Sequence, residues 1–219
     1  MKRSRLFTLL FSLALTLTPP VFAQAPTPTA NELVGQGAAA VEAGNYPEAE
    51  KLFRQAIELD TKNVGGYFLL GNTLYMQGKL PEATEAYREA IKLDPKLAAA
   101  HIGLGNALDD QQKSDEAIES YKKALEIDPK NAKAYYNLAV TFTRQQKLDE
   151  AANNFKKAIE LEPKSSLLHY TLARVLQQQG KLSDAIKAYK KALKLDPDRQ
   201  EIKEGLKSAE DELKSKQKK

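Results

Sequence analysis

The sequence predicts an all-α solenoid of five 34-residue helix–turn–helix units, closed at its C-terminal end by one capping helix. Three observations carry this. Pro95, Pro129, Pro163 and Pro197 recur every 34 residues, with Thr61 in the equivalent place one unit earlier. In register with them, one column is always alanine: Ala49, Ala83, Ala117, Ala151 and Ala185. The column four residues on is always aromatic: Phe53, Tyr87, Tyr121, Phe155 and Tyr189. A fixed period of this length marks an array of similar units, none of which buries its apolar stripe alone.

Taken in order, the chain of 219 residues opens with Lys2, Arg3 and Arg5, an apolar run over residues 6–17, and Val21-Phe22-Ala23. A basic start, a short apolar stretch and small residues before a cut are the parts of a secretory signal peptide. Residues 1–23 are therefore expected to be removed after Ala23. A cut after Ala25 ranks second because Pro26 would follow it. The alternative is an uncleaved membrane anchor, but the run is shorter than the roughly 20 apolar residues of a spanning helix, and Pro19-Pro20 ends it. The expected destination is a periplasm, a thylakoid-type lumen or the extracellular space, with no integral span after cleavage. Removing the three basic residues lowers the net charge from +4 to +1. A nearly neutral body with interspersed acids and bases does not suit a nucleic-acid partner. Residues 24–29 (QAPTPT) read as a Pro-rich extended linker.

Five units follow: 30–63, 64–97, 98–131, 132–165 and 166–199. Counting Val64 as position 1 of its unit, position 4 reads Leu33, Tyr67, His101, Tyr135, His169, and position 7 reads Gln36, Leu70, Leu104, Leu138, Leu172. Position 8 is small throughout (Gly37, Gly71, Gly105, Ala139, Ala173), and position 11 reads Ala40, Leu74, Leu108, Phe142, Leu176. These four positions make one stripe of a 3.6-residue helix. The second helix carries Ala at positions 20 and 27 and the ring at 24. Small residues let helix axes approach, and the ring fills the gap between ridges. Gly78 and Gly180 end first helices, since glycine accepts the positive φ of a helix stop. The proline at position 32 ends the second helix. Over 200–214, Ile202, Leu206, Ala209 and Leu213 form a single stripe suited to a capping helix, and 215–219 is a basic tail.

With five units in phase, the pattern resembles the tetratricopeptide repeat family across 30–199. No unit has Trp at position 4, and the first unit carries Gln36 and Thr61 where Leu and Pro are usual. The resemblance implies a right-handed superhelix whose first helices line a concave groove. It also implies a non-catalytic module that binds proteins or peptides. Some members hold a C-terminal carboxylate with Lys, Asn and Arg at five set positions. Here Asn72 and Lys133 match that set, whereas Phe68, Gly103 and Asn137 depart from it.

Little in the residues suggests chemistry. Without cysteine there is no disulfide, thiolate ligand or thiol nucleophile. The two histidines, His101 and His169, both occupy position 4 in the packing stripe, two units apart, too far to share a metal. Asp109-Asp110 read as a solvated pair at a helix end. Phosphate-loop, dinucleotide, zinc-protease and serine-hydrolase signatures are missing. No cofactor and no metal are expected. The lysine pairs Lys122-Lys123, Lys156-Lys157 and Lys190-Lys191 recur on second helices. They read as a solvated outer face balanced by nearby acids, with an anionic partner as the alternative.

The other side of the first helix carries the partner prediction. Positions 2, 5, 9 and 12 lie away from the core stripe and should be polar on an ordinary surface helix. Position 5 instead reads Val34, Phe68, Ile102, Tyr136, Tyr170. Position 9 adds Asn72, Asn106, Val140 and Arg174; position 12 adds Tyr75 and Asp109. Apolar residues rimmed by polar ones mark an interaction surface, unless they pack on a neighbouring unit. Asn72, Asn106 and Asn137 both donate and accept hydrogen bonds, which suits an extended backbone. Lys133, Arg144 and Arg174 make the later half of the groove basic, and Glu42, Asp109 and Asp110 make the earlier half acidic. The expected function is a non-enzymatic scaffold binding a partner peptide or protein segment in this groove. The alternative is a self-associating assembly protein, a homo-oligomer built through repeat faces or ends.

Overall fold

The computed structural model describes residues 27–217 and contains eleven helices among them. They are α1 (Ala30–Glu42), α2 (Tyr46–Leu59), α3 (Val64–Met76), α4 (Leu80–Leu93), α5 (Ala98–Asp110), α6 (Ser114–Ile127), α7 (Ala132–Arg144), α8 (Leu148–Leu161), α9 (Ser166–Gln178), α10 (Leu182–Leu195) and α11 (Gln200–Gln217). Five antiparallel pairs stack into an all-α solenoid, and α11 closes it. The signal-peptide residues 1–23, both cleavage points and the first half of the linker, residues 24–26, lie outside the described residues.

Local chemistry sets the helix ends. Thr29 caps α1 in a capping box: its hydroxyl accepts from the Glu32 amide while the Glu32 carboxylate accepts from the Thr29 N–H at 2.8 Å. Asn63, Asn131 and Ser165 cap α3, α7 and α9 in the same place of their units. The turn between the helices of each pair needs one residue at positive φ. Gly44, Gly78 and Gly180 supply it at no steric cost. Gln112 (φ 64°) and Gln146 (φ 60°) hold the same place in the third and fourth units, where a side chain costs about 1 kcal/mol.

Each first helix packs on its own second helix and on that of the preceding unit. Its core stripe is therefore wider than positions 4, 7, 8 and 11. Position 3 (Gly66, Ala100, Ala134, Leu168) and position 10 (Thr73, Ala107, Thr141, Val175) are buried throughout the second to fifth units. The cap follows the same rule. Ile202 and Ala209 occupy positions 3 and 10 of a sixth first helix and are fully buried. Its positions 4, 8 and 11 (Lys203, Lys207, Glu210) are polar, so the helix needs no partner on that side. It runs to Gln217, three residues past the expected 214.

Successive first helices touch along the array, α1 with α3, α3 with α5, α5 with α7 and α9 with α11, whereas successive second helices stand farther apart. First helices therefore form the inner wall. The second helices carry the lysine pairs outward, where Lys122 meets Glu119 at 2.7 Å, Lys123 meets Glu126 at 2.7 Å and Lys157 meets Glu160 at 2.8 Å.

Candidate functional site

The inner wall has two kinds of lining, and the ring at position 24 decides which. In the second unit the Tyr87 hydroxyl donates to Asn72 Oδ1 at 2.7 Å. In the third, the Tyr121 hydroxyl donates to Asn106 Oδ1 at 2.8 Å, and Asn137 Nδ2 donates to the same oxygen at 2.7 Å. The asparagines at position 9 are thus tied to the core rings. Their carbonyls are engaged by the protein itself, which corrects the expectation that they serve an incoming backbone as donor and acceptor alike. Burial pushes the Tyr87 and Tyr121 phenols up, so both hydroxyls stay protonated donors. In the fourth unit the pair is Phe155 with Val140, and no such bond forms.

Room for the Tyr87 hydroxyl, and for the Tyr189 hydroxyl that donates to Gln177 Oε1 at 3.0 Å, comes from a glycine at position 6 of the next unit, whereas Tyr121 is followed there by Asn137. A Cβ added at Gly103 would lie 2.5 Å from the Tyr87 ring, and one at Gly205 would lie 2.5 Å from the Tyr189 ring. Phe155, with no hydroxyl, is followed by Thr171.

The position 5 column is only partly surface. Phe68 lies against Tyr87 (centroids 6.3 Å apart), Tyr136 edge-on to Phe155 (5.9 Å) and Tyr170 against Tyr189 (6.1 Å). All three are half-buried. Ile102 is 8% exposed and belongs to the core, so its prediction as a partner contact is corrected. Its unit has no ring at that position, and the smaller side chain sinks between helices.

Asp109 departs furthest from expectation. It is 7% exposed, not solvated. Arg144 on the next first helix meets Asp109 Oδ1 at 2.8 Å; Thr141 Oγ1 donates to Oδ2 at 3.1 Å, and Ser114 Oγ donates to Oδ1 at 3.3 Å. A buried carboxylate needs this set of donors. Its neighbour Asp110 is exposed and accepts from the Tyr75 hydroxyl at 2.6 Å. Burial, with that carboxylate beside it, pushes the Tyr75 phenol up to about 12. The two adjacent acids point to different partners and share no chemistry.

The histidines are structural ties. His101 Nε2 donates to the Pro95 carbonyl at 3.1 Å, and His169 Nε2 to the Pro163 carbonyl at 3.1 Å. A carbonyl only accepts, which places the proton on Nε2. Among the described residues no cluster of three or more His, Asp or Glu side chains has metal-ligand geometry, and no described helix is long and apolar enough to cross a membrane.

Three pockets lie on the inner wall: one of about 230 Å3 between α1 and α3, lined by Ala38, Val41, Leu69 and Met76 beside Glu42 and Asn72, and two adjoining ones farther along. The first of the adjoining pair, of about 240 Å3, is polar and is bordered by Tyr75, Asp110, Lys133, Asn137 and Arg144. The second, of about 320 Å3, lies between α7 and α9. Tyr136, Val140, Phe155 and Val175 form its apolar wall, and Thr143, Arg144, Thr171, Arg174 and Gln178 its edge. The two share Tyr136, Val140 and Arg144. Lys133 and Arg174 are exposed, and neither forms an ion pair among the described residues. Arg174 instead lies over the Tyr170 ring, 5.8 Å from its centroid, with Arg199 at 5.6 Å. Of the predicted contacts, Tyr75, Asn106, Asp109, Lys133, Tyr136, Asn137, Val140, Arg144 and Arg174 are brought together here. Phe68 and Asn72 stand farther along the wall, and Tyr170 packs on Tyr189 beneath Arg174, outside the pocket lining. Thr171 and Gln178, at positions 6 and 13, were missed. They fall within about 60° of position 9 at 100° per residue, so a wider stripe would have found them.

A family model described as a TPR repeat matches residues 37–78, 71–112 and 105–146, and one described as a tetratricopeptide repeat matches 142–209. No curated protein matches significantly. Among solved structures, MamA MSR-1 is 27% identical, with 77% of this chain and 97% of that chain covered and a TM-score of 0.66. MamA 41-end from Desulfovibrio magneticus RS-1 shares the fold at 18% identity, covering 80% and 99%, with a TM-score of 0.73. YrrB, described as a TPR protein with an unusual peptide-binding site, shares it at 18% identity, covering 81% and 92%, with a TM-score of 0.70.

Proposed function

The chain belongs to the tetratricopeptide repeat family, and from that premise we propose that it is a non-enzymatic scaffold whose inner wall binds a segment of another protein. The observation that carries this reading is the continuous lining over the third to fifth units. There, half-buried aromatic and aliphatic side chains sit beside Lys133 and Arg174, cations without an acidic partner among the described residues. Packing alone requires neither of these cations. The described peptide-binding site of YrrB shows that an array of this fold can take such a partner. The test is affinity capture from the native envelope fraction with the wild-type chain and with Lys133→Glu/Arg174→Glu. The double variant should retain its helical circular dichroism and lose the captured protein. Equal capture by both rejects the inner wall as the binding surface.

We also infer export, from Lys2, Arg3, Arg5, the apolar run over 6–17 and Val21-Phe22-Ala23. The mature chain then works in a periplasm, a lumen or outside the cell. Intact-mass measurement of the protein from its native host should give a chain beginning at Gln24; a chain beginning at Met1 rejects cleavage.

A further inference from the structure

We propose that the pocket between α7 and α9 takes one apolar side chain of the bound segment together with a neighbouring carboxylate, and that the Phe155–Val140 pair sets this specificity. The inference rests on the inner-wall reading above and names the chemistry of its ligand.

Three features converge on this one place. First, the apolar character of the pocket reflects a paired difference. Tyr87 with Asn72 and Tyr121 with Asn106 place a hydrogen-bonded polar bridge across the wall. Phe155 with Val140 offers only carbon, and Tyr136 meets Phe155 edge-on to extend the apolar surface. Second, the space between α7 and α9 is open to the inner wall and lined by Val140, Phe155 and Val175 from three helices. The gap of about 320 Å3 is at the small end of the range for ligand pockets and suits a single aliphatic or aromatic side chain. Third, the charged side chains on its own edge, Arg144 and Arg174, have one sign. Lys133 stands in the adjoining pocket. Arg144 is committed to Asp109, but Arg174 and Lys133 have no acidic partner among the described residues. Burial of an apolar anchor beside an unbalanced guanidinium favours a ligand with a carboxylate next to that anchor. Asp110, exposed in the adjoining pocket, disfavours a more highly charged anion and turns any acidic run toward α9.

The probes are C-terminally amidated octapeptides in a Gly-Ser frame whose central pair is Leu-Glu, Leu-Lys or Ala-Glu. A fourth ends in a free Leu carboxylate, which distinguishes a chain terminus from an acidic side chain. Each is titrated into the isotope-labelled full chain by nuclear magnetic resonance up to millimolar concentration. The Leu-Glu peptide, the free-Leu peptide or both should shift Val140, Thr171 and Val175, and bind roughly tenfold tighter than Leu-Lys and Ala-Glu. Val140→Asn/Phe155→Tyr installs the pair that the second and third units already carry, so the fold has a precedent for it. That variant should weaken the preferred peptide about tenfold while its melting temperature stays near the parent's. Lys133→Glu/Arg174→Glu should reverse the preference toward Leu-Lys. Equal binding of Leu-Glu and Leu-Lys, shifts confined to other units, or a Val140→Asn/Phe155→Tyr variant that binds unchanged would each overturn the assignment. If the protein captures its partner through the inner wall and yet fails these tests, the ligand chemistry is wrong and the scaffold reading stands. If capture fails as well, both fall.

Discussion

The second and third units and the fourth and fifth units are built on the same columns, yet they present different surfaces. In the earlier pair, a tyrosine hydroxyl reaches through the wall to an asparagine, and Asp109, Thr141 and Arg144 close the seam to the fourth unit. In the fourth unit, phenylalanine and valine leave the equivalent place apolar and recessed, beside Arg174 and Lys133, which form no ion pair among the described residues. One phenolic oxygen separates the bridged wall of the third unit from the receptive wall of the fourth, while in the fifth the Tyr189 hydroxyl donates to Gln177 Oε1 at 3.0 Å. A repeat protein can therefore vary its binding surface from core positions, without altering the residues that make the stack.

The sharpest way to break the sealed half is Arg144→Ala. It strands Asp109, which is 7% exposed, and should cost about 3 kcal/mol in urea unfolding. A loss below about 1 kcal/mol would mean that Thr141 and Ser114 suffice to hold the carboxylate. Next come the rings. Phe155→Tyr alone gives the later half a hydroxyl facing Val140, and Val140→Asn alone gives it an amide facing Phe155. Each should destabilise by about 1 kcal/mol, whereas the double variant recovers most of the loss. Strict additivity would show that the two positions do not form a pair. Tyr87→Phe, the opposite change in the sealed half, should cost about 1 kcal/mol.

The remaining predictions concern seams and turns outside both regions. Glu50 accepts from Lys79 at 2.7 Å, Gln77 at 2.9 Å and Arg54 at 2.9 Å. Burial raises its pKa, but these donors outweigh it and hold the carboxyl down to about 2. Because the folded value lies below the ordinary carboxylate range, its contribution is present above about pH 4.5 and lost as pH falls toward 2. The first-to-second-unit seam should weaken over that window by about 1 kcal/mol, an amount kept small by water screening of the partners. Glu50→Gln should flatten that part of the pH profile. The smallest effect is at the turns: Gln112→Gly or Gln146→Gly should stabilise by about 0.5 kcal/mol, as relief of positive-φ strain exceeds the added freedom of the unfolded chain. Gly78→Ala should do the reverse. Thermal unfolding of the three variants checks the sign.

Much of the site was legible as columns. Position 9 singled out Val140 and Arg174, and position 12 singled out Tyr75. The columns could not show that Asn72 and Asn106 were already engaged, because the ring that engages them lies 15 residues on, in the other helix of the pair. Nor could they show that Asp109 was buried, since Arg144 and Thr141 belong to the next unit. Ile102 looked like its column neighbours Phe68 and Tyr136, and only packing distinguishes a side chain short enough to sink from a ring that protrudes.

By itself the sequence determined the period, the two helices of each unit, the turn that demands a positive φ and the cap that ends the stack. All of these follow from interactions within one unit or from a repeated rule between units. Tertiary structure alone decided which wall positions stay available. A first helix meets its own second helix, the second helix before it and the first helices on either side, so the exposure of any residue depends on partners some 15 to 35 positions away. The recess between α7 and α9 is a product of that arrangement, assembled from Val140, Phe155 and Val175 in three different helices.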